Sequence, residues 1–156
     1  MSAPQAPNPL RRLVTAFNEA SMEPSRDTDK LARMAIGAAI EVHRELGPGY
    51  SEAIYEEALA QEFTRTGVKF ERQKTFKVEY KCSIVGEGRI DFLIDKRLVI
   101  GLKAIEKLLP VHKAQIISYL KAASCESGLL INFNENVLRT GIQRVVFTRA
   151  TDAQLS

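Results

Sequence analysis

The chain of 156 residues has few of the features that mark a secreted, zinc-binding or membrane-spanning protein. Its two cysteines, Cys82 and Cys125, are isolated and lack C-x-x-C spacing, so neither a disulfide framework nor a zinc site has support. No stretch approaches the roughly 18 consecutive apolar residues that span a bilayer, and the N-terminus lacks a basic segment followed by an apolar one. We therefore expect buried free thiols and a cytoplasmic protein without a membrane partner.

The motifs of most enzyme classes are also missing. The sequence offers no Ser/His/Asp set, no phosphate-cradling glycine loop and no zinc constellation. Its two histidines, His43 and His112, fall near predicted helix ends, which favours a structural role for both. The composition, 45% hydrophobic and 26% charged, suits one compact domain that folds alone or in a small oligomer such as a homodimer.

Positive charge is concentrated in the middle of the chain. The formal net charge is only +3, but residues 69–121 hold twelve Lys or Arg against six Asp or Glu, a balance of +6. Contacts to a phosphate backbone come mostly from Lys and Arg, so this concentration suits a nucleic-acid partner. A sheet face kept soluble by its lysines explains the charge equally well.

The first third of the chain predicts two helices. Residues 1–26 are rich in proline, and we expect them to form a flexible tail. Apolar residues then return at helical spacing over residues 27–46 and again over residues 52–66, each segment starting at a residue suited to cap a helix. The run Gly47-Pro48-Gly49 ends the first helix and separates it from the second.

The remainder of the chain predicts a sheet interrupted by one helix. Alternating and continuous apolar runs indicate strands and a helix in the order β 68–80, β 89–94 after the run IVGEG, β 98–103, α 111–123, β 128–133 and β 144–148. This order predicts an α/β domain over residues 27–150, with a mixed, mainly antiparallel central sheet flanked by helices. Residues 151–156 are expected to form a C-terminal tail.

A hairpin within RIDFLIDKRLVIGLKA should bring an acid and a lysine together. An odd-numbered turn at Asp95-Lys96-Arg97 would set Asp91 opposite Gly101, with both positions on one face of the sheet. Lys103, two residues further on, faces the same way. Such a pair can hold a cation beside a charge stabiliser. An ion pair between Asp91 and Lys103 is the structural alternative.

Four ordered motifs resemble those of the GxxExxY proteins, a bacterial family similar to the PD-(D/E)XK, or restriction-endonuclease-like, nucleases. They are LGPGYSEAIYEEAL, which contains Gly49-x-x-Glu52-x-x-Tyr55; Asp91 with the later x-Leu-Lys103; the helix HKAQIISYLKA; and GLLINF. The resemblance spans roughly residues 30–148. It implies a PD-(D/E)XK nuclease-like core and hydrolysis of phosphodiester bonds in DNA or RNA.

The resemblance also implies a metal site. Asp91 would be the bridging ligand of one or two Mg²⁺ (or Mn²⁺) ions, the Leu102 carbonyl would be a further ligand, and Glu52 would be the helix-borne acid that completes or orients the site. Lys103 would stabilise charge at the attacking water or the scissile phosphate.

Two further residues of the motifs, Gln115 and Tyr119, lie one helical turn apart and would hold the lysine or contact the nucleic acid. Structural roles compete with these assignments. Glu52 could instead favour the positive N-terminus of its helix, and Tyr119 and Tyr55 could be core residues whose hydroxyls find a partner.

Gly101 stands where the family motif Glu-x-Lys has its glutamate. Glycine supplies no side-chain ligand, and it weakens a strand by roughly 0.5 to 1 kcal/mol relative to Ala. Loss of one carboxylate should remove several kcal/mol of transition-state stabilisation, and about 1.4 kcal/mol is already a factor of ten in rate. Mg²⁺ often uses only one or two carboxylates, so Asp91 and Glu52 could still bind it weakly. We expect an impaired or inactive nuclease whose metal is weakly held or lost; the alternative is a non-catalytic relative that binds nucleic acid or protein.

Overall fold

The computed structural model describes residues 26–148, in which three helices cover the two faces of one five-stranded sheet. The elements are α1 (Arg26–Leu46), α2 (Glu52–Arg65), β1 (Phe70–Tyr80), β2 (Ser83–Ile94), β3 (Leu98–Lys103), α3 (Pro110–Ala123), β4 (Ser127–Asn132), a short 3-10 helix (Leu138–Gly141) and β5 (Ile142–Val146). Apart from Arg26, which begins α1, the predicted tails at 1–26 and 151–156 lie outside the described residues. Within residues 26–148, no helix has the length and apolar character needed to cross a membrane.

The strands lie in the order β1-β2-β3-β4-β5. Only the central pair, β3 and β4, is parallel, and the other three pairs are antiparallel. Parallel neighbours need a crossover connection, and α3 supplies it. The prediction of a mixed, mainly antiparallel sheet flanked by helices, with two helices at the N-terminal end, is therefore confirmed.

One face of the sheet is covered by α1 and α2. The side of α1 that packs inward is lined by small residues, which let the helix lie close to the sheet: Ala32, Ala35, Ala38, Ala39 and Val42. Of the two neighbouring candidates for this face, Ala35 is fully buried, whereas Met34 is 36% exposed. Every second residue of β3 points into the same core: Leu98, Ile100 and Leu102.

The opposite face of the sheet is covered by α3. Its two fully buried residues, Ile116 and Leu120, pack against Val99, Leu130 and Val145 from the three strands below. The residues of β3 therefore divide between two cores by simple alternation. Gly101 and Lys103 belong by this alternation to the α3 side of the sheet.

The turn between α1 and α2 is held by a buried tyrosine. Gly47 and Gly49 have φ of +69° and +111°, values that only glycine adopts readily. The Tyr55 hydroxyl donates to the Gly47 carbonyl at 2.5 Å and accepts the Tyr50 amide at 3.2 Å. Its ring stacks on Phe133 with centroids 4.6 Å apart. Tyr55 is therefore a core residue that fixes the start of α2.

Several strand boundaries differ from those predicted. β2 is continuous from Ser83, so the run IVGEG belongs to the strand, and the Phe76 ring covers the glycine at position 88 in place of a side chain. The last strand was predicted over residues 144–148 but runs over Ile142–Val146, because Ile142 pairs with Ile131 directly after the 3-10 helix. The smaller shifts, at β1 and β4, are of one or two residues.

The turn between β2 and β3 has the three residues that were predicted. Ile94 pairs with Leu98, and Asp95 and Lys96 both adopt left-handed φ values, +47° and +58°. The pairing continues as far as Phe92 opposite Ile100. One more step in the same register sets Asp91 opposite Gly101.

The two faces of the β1–β2 ribbon exchange the cores against which they pack at the position where Gln73 lies opposite Asp91. Arg72 pairs with Phe92 and Lys74 pairs with Ile90, but no pair joins the two residues between them. Phe92 packs in the core of α1 and α2, whereas Ile90, only two residues away, packs in the core of α3. Asp91 thus lies at the point where the ribbon changes faces, at the edge of both cores.

The two cysteines differ in exposure, and this difference predicts different reactivity. The expectation of buried thiols is confirmed for Cys125, which is only 6% exposed, and wrong for Cys82, which lies exposed at the β1–β2 turn. Burial raises the pKa of the Cys125 thiol. The reactive thiolate of Cys125 should therefore be scarce as well as inaccessible. We expect iodoacetamide to modify one thiol of the native protein, located at Cys82 by peptide mass spectrometry, and two in denaturant. Rapid labelling of Cys125 in the native protein would contradict the described packing.

Candidate functional site

Asp91 is held against the backbone of the neighbouring strand. Its Oδ2 atom accepts a hydrogen bond from the Leu102 amide at 2.7 Å, in place of a backbone acceptor of β2. Short bonds between an amide and a carboxylate are among the stronger hydrogen bonds in proteins. This contact fixes the carboxylate beside the end of β3. The Leu102 carbonyl as a metal ligand stays a prediction.

Glu52 and Glu56, one turn apart on α2, face Asp91 across the site. Burial raises the pKa of Asp91, and the charge of Glu56 raises it further, while the Leu102 amide and Lys103 act in the opposite direction. Glu52 lies at the open side of the site, yet partial burial of its carboxyl and the charge of Asp91 raise its pKa too. The carboxylates therefore repel one another in a half-buried space, which is the electrostatic condition that favours a bound cation.

Lys103 and Tyr119 complete the site from β3 and α3. The charge of Lys103 lowers the pKa of both Asp91 and Glu52, although within residues 26–148 no close ion pair joins it to either. Burial raises the pKa of Tyr119, and the charges of Asp91 and Glu52 raise it further. The side chain of Gln115, one turn earlier on α3, acts in the opposite direction and lowers the pKa of Tyr119, so it lies beside that hydroxyl.

The space beside Gly101 is filled by an apolar side chain of α3. A Cβ atom at position 101 would lie 2.2 Å from Cδ1 of Ile116, much closer than carbon atoms approach. A Cβ at Gly128, on the neighbouring strand, would meet Cγ2 of the same isoleucine at 2.9 Å and the Val99 carbonyl oxygen at 3.2 Å. Two glycines therefore let Ile116 sink into the sheet. Gly101 thus offers no carboxylate to the site and provides packing space for Ile116.

Glu56 is engaged by residues of β1. Its Oε2 atom receives hydrogen bonds from the Arg72 guanidinium at 3.0 Å, and the same arginine also bonds Glu57 at 2.6 Å. The Gln73 amide donates to Oε1 of Glu56 and makes a longer contact, 3.5 Å, with Oδ1 of Asp91. Glu56 is therefore paired within the protein and is not a free substitute for the carboxylate missing at Gly101.

Sequence patterns missed three residues of this network. Glu56 follows Glu52 by four residues, so helical spacing alone could have placed it on the same face. Arg72 and Gln73 carry no comparable signal. Their contacts depend on the packing of α2 against β1 and on a local break in strand pairing.

The loop after Lys103 is held by a fully buried asparagine. Asn132 lies beside Lys103 in the parallel pair, and its side chain accepts the Ile105 amide at 3.0 Å and donates to the Ile105 carbonyl at 2.9 Å. A buried amide costs free energy unless it is hydrogen-bonded, and here both ends are satisfied. Asn132 therefore fixes the chain as it leaves the site.

Both histidines have structural contacts, as their positions near helix ends suggested. Nε2 of His43 lies 2.6 Å from the Glu135 carbonyl oxygen, joining α1 to the loop after β4. Nδ1 of His112 accepts the Leu109 amide at 2.8 Å and so caps the start of α3.

Large clusters of metal-binding side chains are absent from the described part of the chain. No group of three or more His, Cys, Asp or Glu residues within 26–148 is arranged to hold a metal ion. The carboxylate oxygens of the site are nevertheless the type of ligand that suits Mg²⁺, since this ion prefers oxygen ligands and is often held by one or two carboxylates. Asp91 and Glu52 meet that minimum, and their mutual repulsion would be relieved by a cation.

Comparison with known families agrees with this geometry. A model of the PD-(D/E)XK nuclease superfamily matches residues 29–145, which is most of the chain and includes every residue of the site. The chain belongs to the PD-(D/E)XK nuclease superfamily. Nucleases of this superfamily generally use Mg²⁺. Membership of the GxxExxY family in particular stays a prediction.

Among solved structures, the chain is similar to one described as the crystal structure of SSO0001. The two are 24% identical, with a TM-score of 0.45, over 66% of this chain and 54% of the other. The chain thus spans about half the length of that structure. No curated protein matches the chain.

The packing of Ile116 against Gly101 predicts a coupled pair of substitutions. Gly101→Ala should lower the free energy of unfolding by about 1 to 3 kcal/mol, the usual cost of overpacking. Ile116→Val removes the Cδ1 atom that a Cβ at position 101 would strike. We expect Gly101→Ala to cost at least about 1 kcal/mol less in the Ile116→Val background, measured as a double-mutant cycle by denaturant unfolding.

Gly128→Ala is the matched control for this cycle. Its Cβ would meet Cγ2 of Ile116, an atom that valine retains, and the Val99 carbonyl oxygen, which cannot rotate away. Ile116→Val should therefore leave the cost of Gly128→Ala unchanged within about 0.5 kcal/mol. Additive effects of Gly101→Ala and Ile116→Val would show that the described contact is wrong.

Proposed function

We propose that this chain binds nucleic acid at the Asp91 site and that Gly101 reduces its hydrolysis of phosphodiester bonds to a small fraction of what the scaffold supports. The observation that carries the proposal is the convergence of Asp91, Glu52 and Lys103 beside a strand position that bears no carboxylate. Superfamily membership supports the class of chemistry, and the filled space beside Gly101 supports the loss.

Two carboxylates and a main-chain oxygen would hold the Mg²⁺ ion in this proposal: Asp91, Glu52 and the Leu102 carbonyl. When bound, the ion would supply positive charge to offset the charge that develops on the phosphate. The Leu102 amide keeps the Asp91 carboxylate turned toward the site. Lack of a third carboxylate leaves the ion with fewer protein ligands and a lower net negative charge around it.

Lys103 would stabilise the negative charge of the phosphate in the transition state. Its ammonium group lies among acids whose pKa values it lowers, which puts a positive charge beside the position proposed for the phosphate. Gln115 and Tyr119 on α3 would contact the nucleic acid or hold the lysine, and Tyr119 is anchored for this by its ring contact with Phe76, 5.6 Å between centroids. These are positions for binding and orienting a phosphodiester.

The exposed cations of the β1–β2 ribbon and α3, which form the basic surface of this chain, support a nucleic-acid partner. Exposed cations project from the β1–β2 ribbon and from α3: Lys74, Lys77, Lys81, Arg89, Lys113 and Lys121. Tyr80 near the ribbon tip is 61% exposed, with the ammonium of Lys81 5.4 Å from its ring centroid. Cations that meet phosphates and an aromatic ring that stacks on bases are the usual elements of single-strand binding.

A non-catalytic relative is the second candidate function. It is favoured by the lack, within residues 26–148, of any group of three metal-binding side chains. Such a protein would keep the fold and the basic surface and would bind nucleic acid or a protein partner without cleaving. Cleavage that disappears in Asp91→Ala supports the impaired nuclease, whereas salt-sensitive binding without cleavage supports the relative. A homodimer, a bacterial source and a cytoplasmic location stay predictions.

Restoring the carboxylate at position 101 should restore metal binding and cleavage. Because a side chain there meets Ile116, the variant to test is Gly101→Glu combined with Ile116→Val. We expect tighter Mn²⁺ binding by isothermal titration calorimetry and a cleavage rate on single-stranded and duplex substrates raised at least about tenfold, the effect of 1.4 kcal/mol.

The isosteric pair Gly101→Gln with Ile116→Val serves as control, since it fills the same space without charge. It should leave both metal binding and cleavage at the level of the Ile116→Val variant. Adding Asp91→Ala to the glutamate variant should abolish its gain. If the folded glutamate variant neither binds Mn²⁺ more tightly nor cleaves, the catalytic assignment of this site is wrong.

The basic ribbon predicts a salt-dependent affinity for nucleic acid. Replacing Lys77 and Lys81 by Ala should weaken binding and reduce the slope of log K against log salt on duplex DNA by about 1.8, or about 0.9 for each phosphate that the variant no longer neutralises. Fluorescence anisotropy at a series of salt concentrations measures the slope. Lys30→Ala, an exposed change on α1 and far along the chain from the ribbon, should leave the slope unaltered. Equal slopes for all three proteins would exclude the ribbon as a binding surface.

A further inference from the structure

Gln73 has an unusual backbone conformation for its residue type. Its φ of +54° lies in the left-handed region, which residues with a Cβ atom avoid. It lies inside β1, where the pairs on either side are regular and only the pair with Asp91 is missing. A disfavoured conformation persists only where surrounding contacts hold it, and such positions are frequent at functional sites.

The side chain of Gln73 bridges two carboxylates. Its amide nitrogen carries two hydrogens, and it donates one to Oε1 of Glu56 and approaches Oδ1 of Asp91 at 3.5 Å with the other. Asp91 is thereby engaged at both oxygens, with Leu102 N–H on Oδ2 and Gln73 on Oδ1. Two directed donors on two oxygens restrict both the position and the rotation of a carboxylate.

A neutral donor suits this position better than a charged one. A lysine or arginine between Glu56 and Asp91 would form an ion pair and compete with a metal ion for the carboxylate. The amide of Gln73 satisfies the lone pairs that face it and leaves the net negative charge of Asp91 intact. Glu56 in turn is fixed by Arg72, so the amide is itself held from the side of α2.

We propose that Gln73 is a positioning residue, whose amide holds the Asp91 carboxylate in the orientation that the site needs. The left-handed backbone is what brings the amide inward at the point where the ribbon turns over. Only one part of this proposal rests on the proposed function, namely that the oriented Asp91 carboxylate serves a metal site. The orientation of Asp91 itself can be measured without metal or nucleic acid.

The competing explanation is that Gln73 merely fills a left-handed position. Glycine is the residue best suited to that role, so the two explanations make opposite predictions for Gln73→Gly. As a simple turn residue, Gln73 would be replaced by glycine without loss. If Gln73 is a positioning residue, its replacement by glycine leaves one oxygen of Asp91 without its donor, even though the replacement relieves the backbone strain.

The decisive measurement is hydrogen exchange at the Leu102 amide in the full chain, followed by NMR. We expect Gln73→Gly to keep the melting temperature of the natural chain or raise it, while the Leu102 amide exchanges at least about tenfold faster, the factor that a charge-assisted hydrogen bond represents. Gln73→Ala should show the same faster exchange with a lower melting temperature. The amides of Leu129 and Ile131 in β4 are the internal reference and should exchange at their original rates.

Two results would overturn the proposal. One is a Leu102 amide that exchanges at the same rate in Gln73→Gly as in the natural chain. The other is acceleration at the two reference amides as well, which would report a general loosening of the sheet.

A second arm tests the link to the metal site. In the background of Gly101→Glu with Ile116→Val, adding Gln73→Gly should weaken Mn²⁺ binding about tenfold, or 1.4 kcal/mol. If that background binds no Mn²⁺, the proposed function fails, while the exchange measurement still decides the role of Gln73. Unchanged Mn²⁺ affinity in a background that does bind would overturn the positioning role.

Discussion

Carboxylates held close together in a half-buried space repel one another, and the neighbourhood of Asp91 is organised around offsetting that repulsion. Burial raises the pKa of Asp91 and Glu52, and the acids raise it further through their mutual charge. The acids share three kinds of stabilising group, a backbone amide, a neutral side chain and cations: Leu102 N–H, Gln73, Arg72 and Lys103. The acids come from α2 and β2 and the compensating groups from β1 and β3, so the site exists only when these four elements are assembled. A cation would add to the same compensation, which is why the arrangement suits a metal-dependent scaffold.

Gly101 separates the stability of this fold from its chemistry. A glutamate at that position would add one more acid to a crowded group, whereas glycine lets Ile116 pack directly on the strand. Protein interiors are close-packed, so a vacated site does not stay empty but is filled by a neighbour. At position 101 the chain therefore has an apolar contact between α3 and the sheet and no side-chain ligand. Packing at position 101 and the acids of the site therefore involve different residues, as expected where fold and function are separable.

Much of the fold could be predicted because its signals are local. The glycine turn at 47–49, the helical periods on either side of it and the three-residue turn at Asp95-Lys96-Arg97 all depend on neighbours in sequence. The boundaries of β2 and β5 were less predictable. β2 continues through two glycines only because β1 pairs with it and Phe76 covers one of them, and β5 begins early because Ile142 finds Ile131 across the sheet. Pairing with a neighbouring strand of the sheet decided both boundaries, and the pattern within each strand carries no record of it.

The candidate site divides in the same way. Asp91, Gly101 and Lys103 follow from the sequence, because strand alternation and an odd-numbered turn place them on one face whatever the rest of the chain does. Glu52, Gln115 and Tyr119 were recognisable by their motifs, but only the docking of two helices on opposite faces brings them to the same edge. The amide bridge of Gln73, the pairing of Glu56 with Arg72 and the burial of Ile116 against two glycines arise entirely from tertiary structure. Each of these contacts joins residues of different helices and strands, and the distances between such elements are set only when the whole core is packed.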